Sequence, residues 1–477
     1  MNKMRRLLYI LFLCMFAVSL QAQSRNTVRN LFNQGKFEEV KLMLEKLLKG
    51  NPKNSEYCYW YAACCIETGD TLDVTAMLEF AISRKIVNAH RYLGDYYFNR
   101  KDYPSASLCY DDFIDLTKDD SLRAVFEKKL NYSNQLGRMV RNCYKICIID
   151  SVVVEKDKFL SAYRMGNDVG VISTCATFFE DESLSGYAYS TQLGMDVFFS
   201  DADDEGQPAK LYTNSKVGDE WGKAKALKGF DTNGNDDYPF MLADGVTLYF
   251  ASDGDASIGG YDIFVSRLDT ETGRFLRPDN MGMPFNSTAN DYMMAINEVA
   301  NIGWFASDRN QPEGKVCVYV FVPDADRNKY DVELLGYNRM LSYSLISSIA
   351  ETWADEDVVR KARQQLAMLA YARLDDTKGE APTFLIDDTR EYKTEADFKS
   401  AEARALFVKW QKGCLEYKRE LENLENKRDE YASANKAGKD SMRDGILALE
   451  SKVENLYEQL VVLEREARRL EQEYLYR

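Results

Sequence analysis

A strand-rich pattern that occurs twice in the middle of this 477-residue chain constrains its fold more than any other feature. The segments Asp237–Arg267 and Asp291–Pro323 both begin with Asp-Tyr, 54 residues apart, and both end in an alternating, aromatic-rich strand. Between these ends, each contains an aromatic residue followed by Ala-Ser-Asp, at Phe250–Asp253 and at Phe305–Asp308. A less similar copy is centred upstream on residues 199–201. The repetition indicates structural units rather than a single catalytic site.

Short strands with turn signals at this spacing predict the blades of a β-propeller, which we place at residues 149–395 with a helical insertion around 338–375. The corner aspartates are expected to be turn residues, and the short run Thr383–Ile386 is predicted to return as a strand that closes the ring. The pattern resembles the WD40-like propeller repeat of the TolB type. In the stretch Leu242–Gly245 the aspartate and glycine of that repeat are kept, and Ala243 replaces its proline.

A helical repeat precedes this region, at residues 23–148. One copy has large and small apolar residues in a single register, at Leu93, Gly94, Tyr97, Tyr103, Ala106, Tyr110 and Phe113. Two earlier copies follow the same outline at steps of 32 and 34 residues. Helix pairs pack closely when a small residue lets them approach and large residues fill the seam. The pattern resembles the tetratricopeptide repeat and predicts an α-solenoid.

The tetratricopeptide resemblance implies a concave groove that binds a peptide or a protein. Its groove positions fall in this chain on Arg25, Arg29, Phe32, Tyr59, Arg91 and Phe98. The alternative is that these residues form a solvated surface and that the array is only a spacer.

The last region, residues 398–477, is predicted to be an antiparallel coiled-coil hairpin. Apolar residues alternate three and four apart without a break from Met442 to Tyr474, whereas Arg428 interrupts the seam of the first arm. We expect Leu456, Leu460 and Leu463 to face a third surface: the propeller, another copy of the chain or a separate envelope protein. The alternative is that the hairpin closes on itself.

The N-terminus predicts export. Lys3, Arg5 and Arg6 precede an apolar run that ends near Ala22, which is the pattern of a cleaved signal peptide at residues 1–22. Cys14 follows Leu13 rather than a small residue, so we do not expect lipid attachment there. The sequence therefore predicts a periplasmic protein that reaches the outer membrane through partners.

Composition argues against several functions. The formal net charge is −15, which disfavours nucleic acid as a partner, and His90 is the single histidine, which removes most histidine-based catalytic and metal sites. The chain has no G-x-S-x-G motif, and the nine cysteines beyond residue 22 are expected to be buried apolar residues. Cys143 and Cys147 are spaced like one helical turn. No cofactor is expected.

One acidic run resembles a calcium loop. Asp231, Asn233 and Asn235 have the alternate spacing of such a loop, but Asp236 stands at the position of its glycine and Leu242 at that of its glutamate. We interpret the run as a turn and keep calcium as the alternative.

The order of signal peptide, tetratricopeptide array and TolB-like propeller resembles cell-envelope proteins of Bacteroidota, including the periplasmic propeller lipoprotein of type IX secretion. In this chain a coiled coil follows the propeller, in place of the OmpA-like domain of that lipoprotein. The resemblance implies a non-catalytic scaffold that binds envelope proteins. The alternative is a propeller that binds or hydrolyses carbohydrate.

Overall fold

The computed structural model describes residues 25–475 except for 167–168, 203–206, 219, 231, 325, 376–383, 388–389, 393 and 434–435. The chain forms two compact units, which divide between Arg141 and Asn142. The first unit is helical, and the second contains antiparallel sheets followed by helices. The predicted signal peptide and the calcium candidate Asp231 lie outside the described residues. Across the described ranges, no helix combines the length and apolarity that a membrane span requires.

Seven helices are described in the first unit. They are α1, described over 25–33, α2 (Phe37–Gly50), α3 (Ser55–Glu67), α4 (Thr75–Ser83), α5 (Asn88–Asn99), α6 (Tyr103–Leu116) and α7 (Asp120–Arg141). Capping side chains mark two of the starts: Asn54 accepts backbone N–H groups at the start of α3, and Asp102 does so at α6.

Close packing of α5 on α6 depends on Gly94. A Cβ atom at Gly94 would lie 2.5 Å from the Tyr110 ring, so only glycine allows this approach. Leu93, Ala106 and Phe113 are buried as well. The apolar positions of the helical pattern are therefore core positions, and membership of the tetratricopeptide family stays a prediction.

Seventeen strands are described in the second unit. They are β1 (Cys147–Glu155), β2 (Val171–Thr174), β3 (Tyr187–Ser190), β4 (Asp196–Asp201), β5 (Lys210–Val217), β6 (Glu220–Trp221), β7 (Lys225–Ala226), β8 (Asp236–Met241), β9 (Thr247–Ser252), β10 (Asp262–Asp269), β11 (Arg274–Phe275), β12 (Asp279–Asn280), β13 (Asp291–Asn297), β14 (Ile302–Ser307), β15 (Lys315–Val322), β16 (Phe384–Asp387) and β17 (Arg390–Tyr392).

These strands form three larger sheets and one two-stranded sheet. The first has the order β2-β3-β4-β5-β6 with β7 on β5, the second has β11-β10-β9-β8 with β12 on β10, and the third has β1-β15-β14-β13. All three contribute to one hydrophobic core, with Tyr189, Phe240 and Trp304 among its members. Within the described strands no sheet closes into a barrel, and a propeller is not identified from the sheets alone.

The strand that completes the third sheet is β1, which pairs with β15 along its whole length, from Cys147 opposite Val322 to Glu155 opposite Lys315. The prediction that the run Thr383–Ile386 closes the ring is wrong for the described residues, because β16 pairs with β17. Strand β1 precedes all the repeats in sequence and is longer than β16, so it can pair with the whole of β15. The short run near Phe384 packs on the C-terminal helices instead.

The strand pairing aligns the two repeats with an offset of one residue from the alignment that their shared Asp-Tyr suggests. Asp236 lies opposite Ser252 in the second sheet, and Asp291 lies opposite Ser307 in the third. Asp236 is therefore the equivalent of Asp291. A bulge follows in both strands, and Tyr238 and Met293 take the positive φ angles of 56° and 37° that it requires.

The remaining helices lie in the same compact unit as the sheets. They are α8 (Cys175–Phe179), α9 (Val332–Leu335), α10 (Tyr337–Ser344), α11 (Glu356–Asp375), α12 (Ala401–Ser433) and α13 (Lys436–Leu475), with 3-10 turns at Lys156–Ala162, Ala350–Thr352 and Glu395–Asp397. The apolar residues at 150–165 and 169–179 predict strands, but the first of these turns and helix α8 occupy parts of these segments.

Helices α12 and α13 run antiparallel to each other. Arg428 of α12 pairs with Glu450 of α13 at 2.6 Å, which neutralises the charge that interrupts the predicted seam. The pair is not a free arm, because Glu464 contacts Arg164 at 2.7 Å and Gln472 donates to the carbonyl of Ile386. These contacts tie the helix pair to other segments of the second unit, and the coiled-coil assignment stays a prediction.

Seven of the nine cysteines within the described residues are buried. Cys143 and Cys147 do not share a helical turn, because α7 ends at Arg141 and Cys147 begins β1. Across the described residues no cluster of metal-binding side chains is present.

Candidate protein-binding site

Three aromatic rings meet on the helical unit, one from each of α1, α3 and α5. The ring centroids of Phe32 and Tyr59 lie 6.0 Å apart, those of Tyr59 and Tyr92 lie 5.9 Å apart, and those of Phe32 and Tyr92 lie 6.5 Å apart. Burial raises the pKa of Tyr92 to about 12, so its phenol stays protonated at neutral pH. The sequence named Phe32 and Tyr59 but missed Tyr92, which follows the named Arg91.

Arg91 is held against this aromatic group. Its guanidinium carbon lies 4.7 Å from the centre of the Tyr92 ring and 6.0 Å from that of Phe126, and one terminal nitrogen donates to the Tyr92 hydroxyl at 3.2 Å. Its Nε is buried and has no hydrogen-bond partner among the described residues. The cation is therefore positioned by aromatic faces while one of its donors is still available. We call Phe32, Tyr59, Arg91, Tyr92 and Phe126 the Arg91 row.

Beside the Arg91 row, the carboxylate of Asp95 in α5 bonds to residues of α6 and α7. Asp95, one turn after Arg91, accepts from Lys129 at 2.6 Å and from the Tyr110 hydroxyl at 2.8 Å. Lys129 lies 4.8 Å from the centre of the Phe126 ring. The spacing of four residues between Arg91 and Asp95 was the signal in the sequence that could have identified this group.

The other groove residues are placed differently. Arg25 and Arg29 are exposed, and Arg25 forms an ion pair with Glu56 at the surface. An exposed pair of this kind contributes little to stability, so Arg25 can exchange partners at low cost. Phe98 packs on Tyr103 and Tyr132, with centroids 5.5 and 5.9 Å away. The structure thus brings Phe32, Tyr59 and Arg91 together, and Phe98 belongs to a separate aromatic contact.

The calcium candidates are engaged in turn contacts. Asn235 donates its side-chain amide to Asp253 at 2.8 Å and accepts from the backbone of Ala209 at 3.0 Å. Asn233 donates to Asp255 at 2.8 Å. The side-chain oxygen of Asn235 is therefore already an acceptor within the protein, which favours the interpretation of this run as a turn.

Two aspartates at the starts of strands, Asp262 of β10 and Asp291 of β13, are fully buried. Asp262 is 0% exposed, and its carboxylate accepts from Asn280 at 2.7 Å and from the backbone of Ile258 at 3.0 Å. Burial and the nearby Asp291 raise the pKa of Asp262 to about 7. Asp291 itself pairs with the buried Arg309 at 2.6 Å. Asp262 thus accepts backbone hydrogen bonds from the turn before β10, as a turn residue does, and it is also a buried acid.

One tyrosine from each of the three larger sheets contributes to a shared aromatic contact. The rings of Tyr187 and Tyr238 are stacked with centroids 4.2 Å apart, and Tyr238 lies 5.2 Å from Tyr292. Tyr238 and Tyr292 are buried. Their faces are used for ring-to-ring packing, whereas a carbohydrate-binding site presents open aromatic faces to the sugar.

The three leucines predicted to bind a partner lie in the core between α12, α13 and the β16–β17 hairpin. Leu460 is 5% exposed, and its side chain fills the space beside Gly413 of α12. Leu456 and Leu463 are partly buried in the same cluster. Partner binding through these residues stays a prediction, and it requires the two helices to separate.

Comparison with protein-family models and with curated proteins finds no match for this chain.

Proposed function

We propose that this protein is a non-catalytic scaffold or adaptor that binds other cell-envelope proteins through its N-terminal helices. The observation that carries the proposal is the Arg91 guanidinium, which is stacked on Tyr92 and retains a buried donor without a partner among the described residues. An extended peptide offers backbone carbonyls and carboxylates to such a donor, and its apolar side chains suit the adjoining, partly exposed ring of Phe32.

The finer architecture forms part of the same proposal. The helical unit is a tetratricopeptide-like solenoid, the three sheets are blades of a TolB-like propeller, and α12 and α13 form a coiled-coil hairpin. The repeated register of the second and third sheets and their shared core support the propeller. The antiparallel contacts between α12 and α13 support the hairpin. We further propose export by a cleaved signal peptide, a periplasmic location and association with the outer membrane through partners.

Affinity purification of the tagged full chain from its native envelope tests this function. Arg91→Ala should lose the bound partner, because it removes both the stacked cation and the unused donor. Arg100→Ala is the matched control. Arg100 lies just after α5, nine residues from Arg91 and so on the opposite side of the helix axis, and it stacks on Tyr96 with a distance of 4.3 Å.

Each variant loses ring contacts and one hydrogen bond, to the Tyr92 hydroxyl for Arg91 and to the carbonyl of Thr71 for Arg100, so both should stay folded and melt at similar temperatures. A partner that is recovered with the wild type and Arg100→Ala, and lost with Arg91→Ala, supports the proposal. Equal recovery with both variants, or no specific partner for the wild type, contradicts it.

A further inference from the structure

A cavity of about 340 Å³ lies in the second unit, between α11, α12, α13 and β1. Its volume is within the range of small-molecule sites. One part of the wall is apolar and consists of Val453, Val461 and the rings of Tyr417 and Tyr457. The cavity is separate from the Arg91 row, which belongs to the other unit.

The polar part of the wall is cationic. Arg360, Arg363 and Arg465 line it together with the acidic Asp150 and Glu458, so positive charges exceed negative ones. Two of the arginines are anchored to β1: Arg363 donates to the carbonyl of Ile149 at 2.9 Å, and Arg465 donates to the carbonyl of Ser151 at 3.2 Å. Arg465 also pairs with Asp150 at 3.5 Å, so the arginines at this end of the cavity are fixed hydrogen-bond donors whose charge is partly neutralised.

Two donors at this cavity are unused. The Nε of Arg360 and the hydroxyl of Tyr457 are buried and have no hydrogen-bond partner among the described residues. Arg360 uses a terminal nitrogen to pair with Asp357 at 2.8 Å, which leaves its Nε–H. Burial raises the pKa of Tyr457 to about 12, so at neutral pH its hydroxyl retains the proton and is a donor.

Buried donors without partners destabilise a protein unless something satisfies them. A carboxylate has two oxygens, and each can accept one hydrogen bond from a different donor. An apolar chain attached to the carboxylate would contact Val453 and Val461. We propose that this cavity binds a small amphipathic carboxylate, with its carboxylate at Arg360 and Tyr457 and its apolar chain along the valines.

Calorimetric titration of the full-length chain with sodium octanoate tests the proposal, at neutral pH and constant ionic strength. Octanoate should give saturable binding. Octanol, octylammonium and acetate should each bind at least about tenfold more weakly, because each lacks either the carboxylate or the apolar chain. The proposal fails if octanoate does not bind, or if octanol or acetate binds as tightly.

Variants locate the site. Tyr457→Phe and Arg360→Gln should each weaken octanoate binding by about tenfold, the usual effect of losing one hydrogen bond to a charged group. The matched controls are Tyr474→Phe and Lys361→Gln, both at exposed positions. Tyr457→Phe removes a hydroxyl that has no described partner, so the melting temperature of the free protein should not fall. Wild-type affinity in either test variant contradicts the assignment.

Discussion

Asn290 donates both its backbone N–H and its side-chain amide to the carboxylate of Asp308, each at 2.8 Å. It also accepts from the backbone N–H of Tyr261 at 3.0 Å, just before β10. Asn235 makes the same contacts in the preceding sheet, to Asp253 and to Ala209 just before β5. One asparagine in each repeat therefore ties the corner of its own sheet to a strand of the sheet before it.

Replacing either asparagine should weaken the junction between its two sheets, and the two effects should be equal. Asn235→Ala and Asn290→Ala should each lower the free energy of unfolding by about 1–3 kcal/mol, because the partner N–H and carboxylate lose their hydrogen bonds. Asn455→Ala is the control, since its exposed side chain bonds to Ser451 of its own helix. Urea denaturation measures the effect, and the shared junction is contradicted if the two junction variants are as neutral as the control.

Phe250 should be a major contributor to the core. It is 1% exposed, and its ring lies 4.9 Å from that of Phe230 and 5.8 Å from that of Phe264. Phe250→Ala should cost about 3–5 kcal/mol through lost burial and the cavity left behind. Val299→Ala, at a site that is 87% exposed, should have almost no effect. An unchanged melting temperature for Phe250→Ala would show that this packing does not exist in solution.

Gly94→Ala should destabilise the helical unit. Alanine normally stabilises a helix relative to glycine by about 1 kcal/mol. At Gly94, however, the new methyl would overlap the buried Tyr110 ring, and overpacking of this kind costs about 1–3 kcal/mol. Gly445→Ala on α13 meets no atom within 4 Å and should be stabilising. Thermal melts of the two variants should therefore shift in opposite directions, and a stabilising Gly94→Ala would rule out the close approach of α5 and α6.

Asp262 should make the protein less stable as the pH rises. Its folded-state pKa of about 7 lies above the value of 3.8 expected for an unperturbed aspartate, so the folded state holds a proton that the unfolded state has released. This contribution to stability is complete below pH 4 and is lost as the pH rises through 7. Asp262→Asn keeps an acceptor for Ile258 and Asn280 without the charge.

The measurement is the stability of Asp262→Asn relative to the wild type from pH 4 to pH 8. The difference should move in favour of the variant by up to about 4 kcal/mol over this range, mainly between pH 4 and pH 7. Asp244→Asn provides the comparison, because hydrogen bonds from Thr247 and from the backbone lower the pKa of Asp244 despite its partial burial. A constant difference for Asp262→Asn would show that Asp262 is ionised throughout.

Local pattern was enough to predict the order of a helical, a strand-rich and a second helical region in this chain. The apolar spacing around Leu93 and Phe113 predicts helices that the structure contains, and the alternation around Phe250 and Phe305 predicts strands that it contains. These features depend on side chains that are close in sequence, where the period of burial directly reflects helix or strand geometry.

Contacts between distant segments could not be predicted in this way. The pairing of β1 with β15 joins residues about 160–175 positions apart, and the sequence pattern favoured a nearer strand instead. The one-residue offset between the Asp-Tyr pairs arises from bulges, which the side-chain pattern does not reveal. In the candidate site, Arg91, Phe32 and Tyr59 followed from the resemblance, whereas Tyr92 and Asp95 required the packing of α5 on its neighbours.

The sequence by itself determined that this chain contains helices, then repeated strands, then two long helices, because hydrophobic periodicity acts within each segment. Only the tertiary structure decided which strand completes the third sheet, that Asp262 is a buried acid and that Leu460 belongs to a core. It also placed Arg360 and Tyr457, from different helices, at one cavity. The physical reason is that burial, pKa and hydrogen-bond partners depend on which surfaces pack together. Many different tertiary contacts are compatible with the same local sequence pattern.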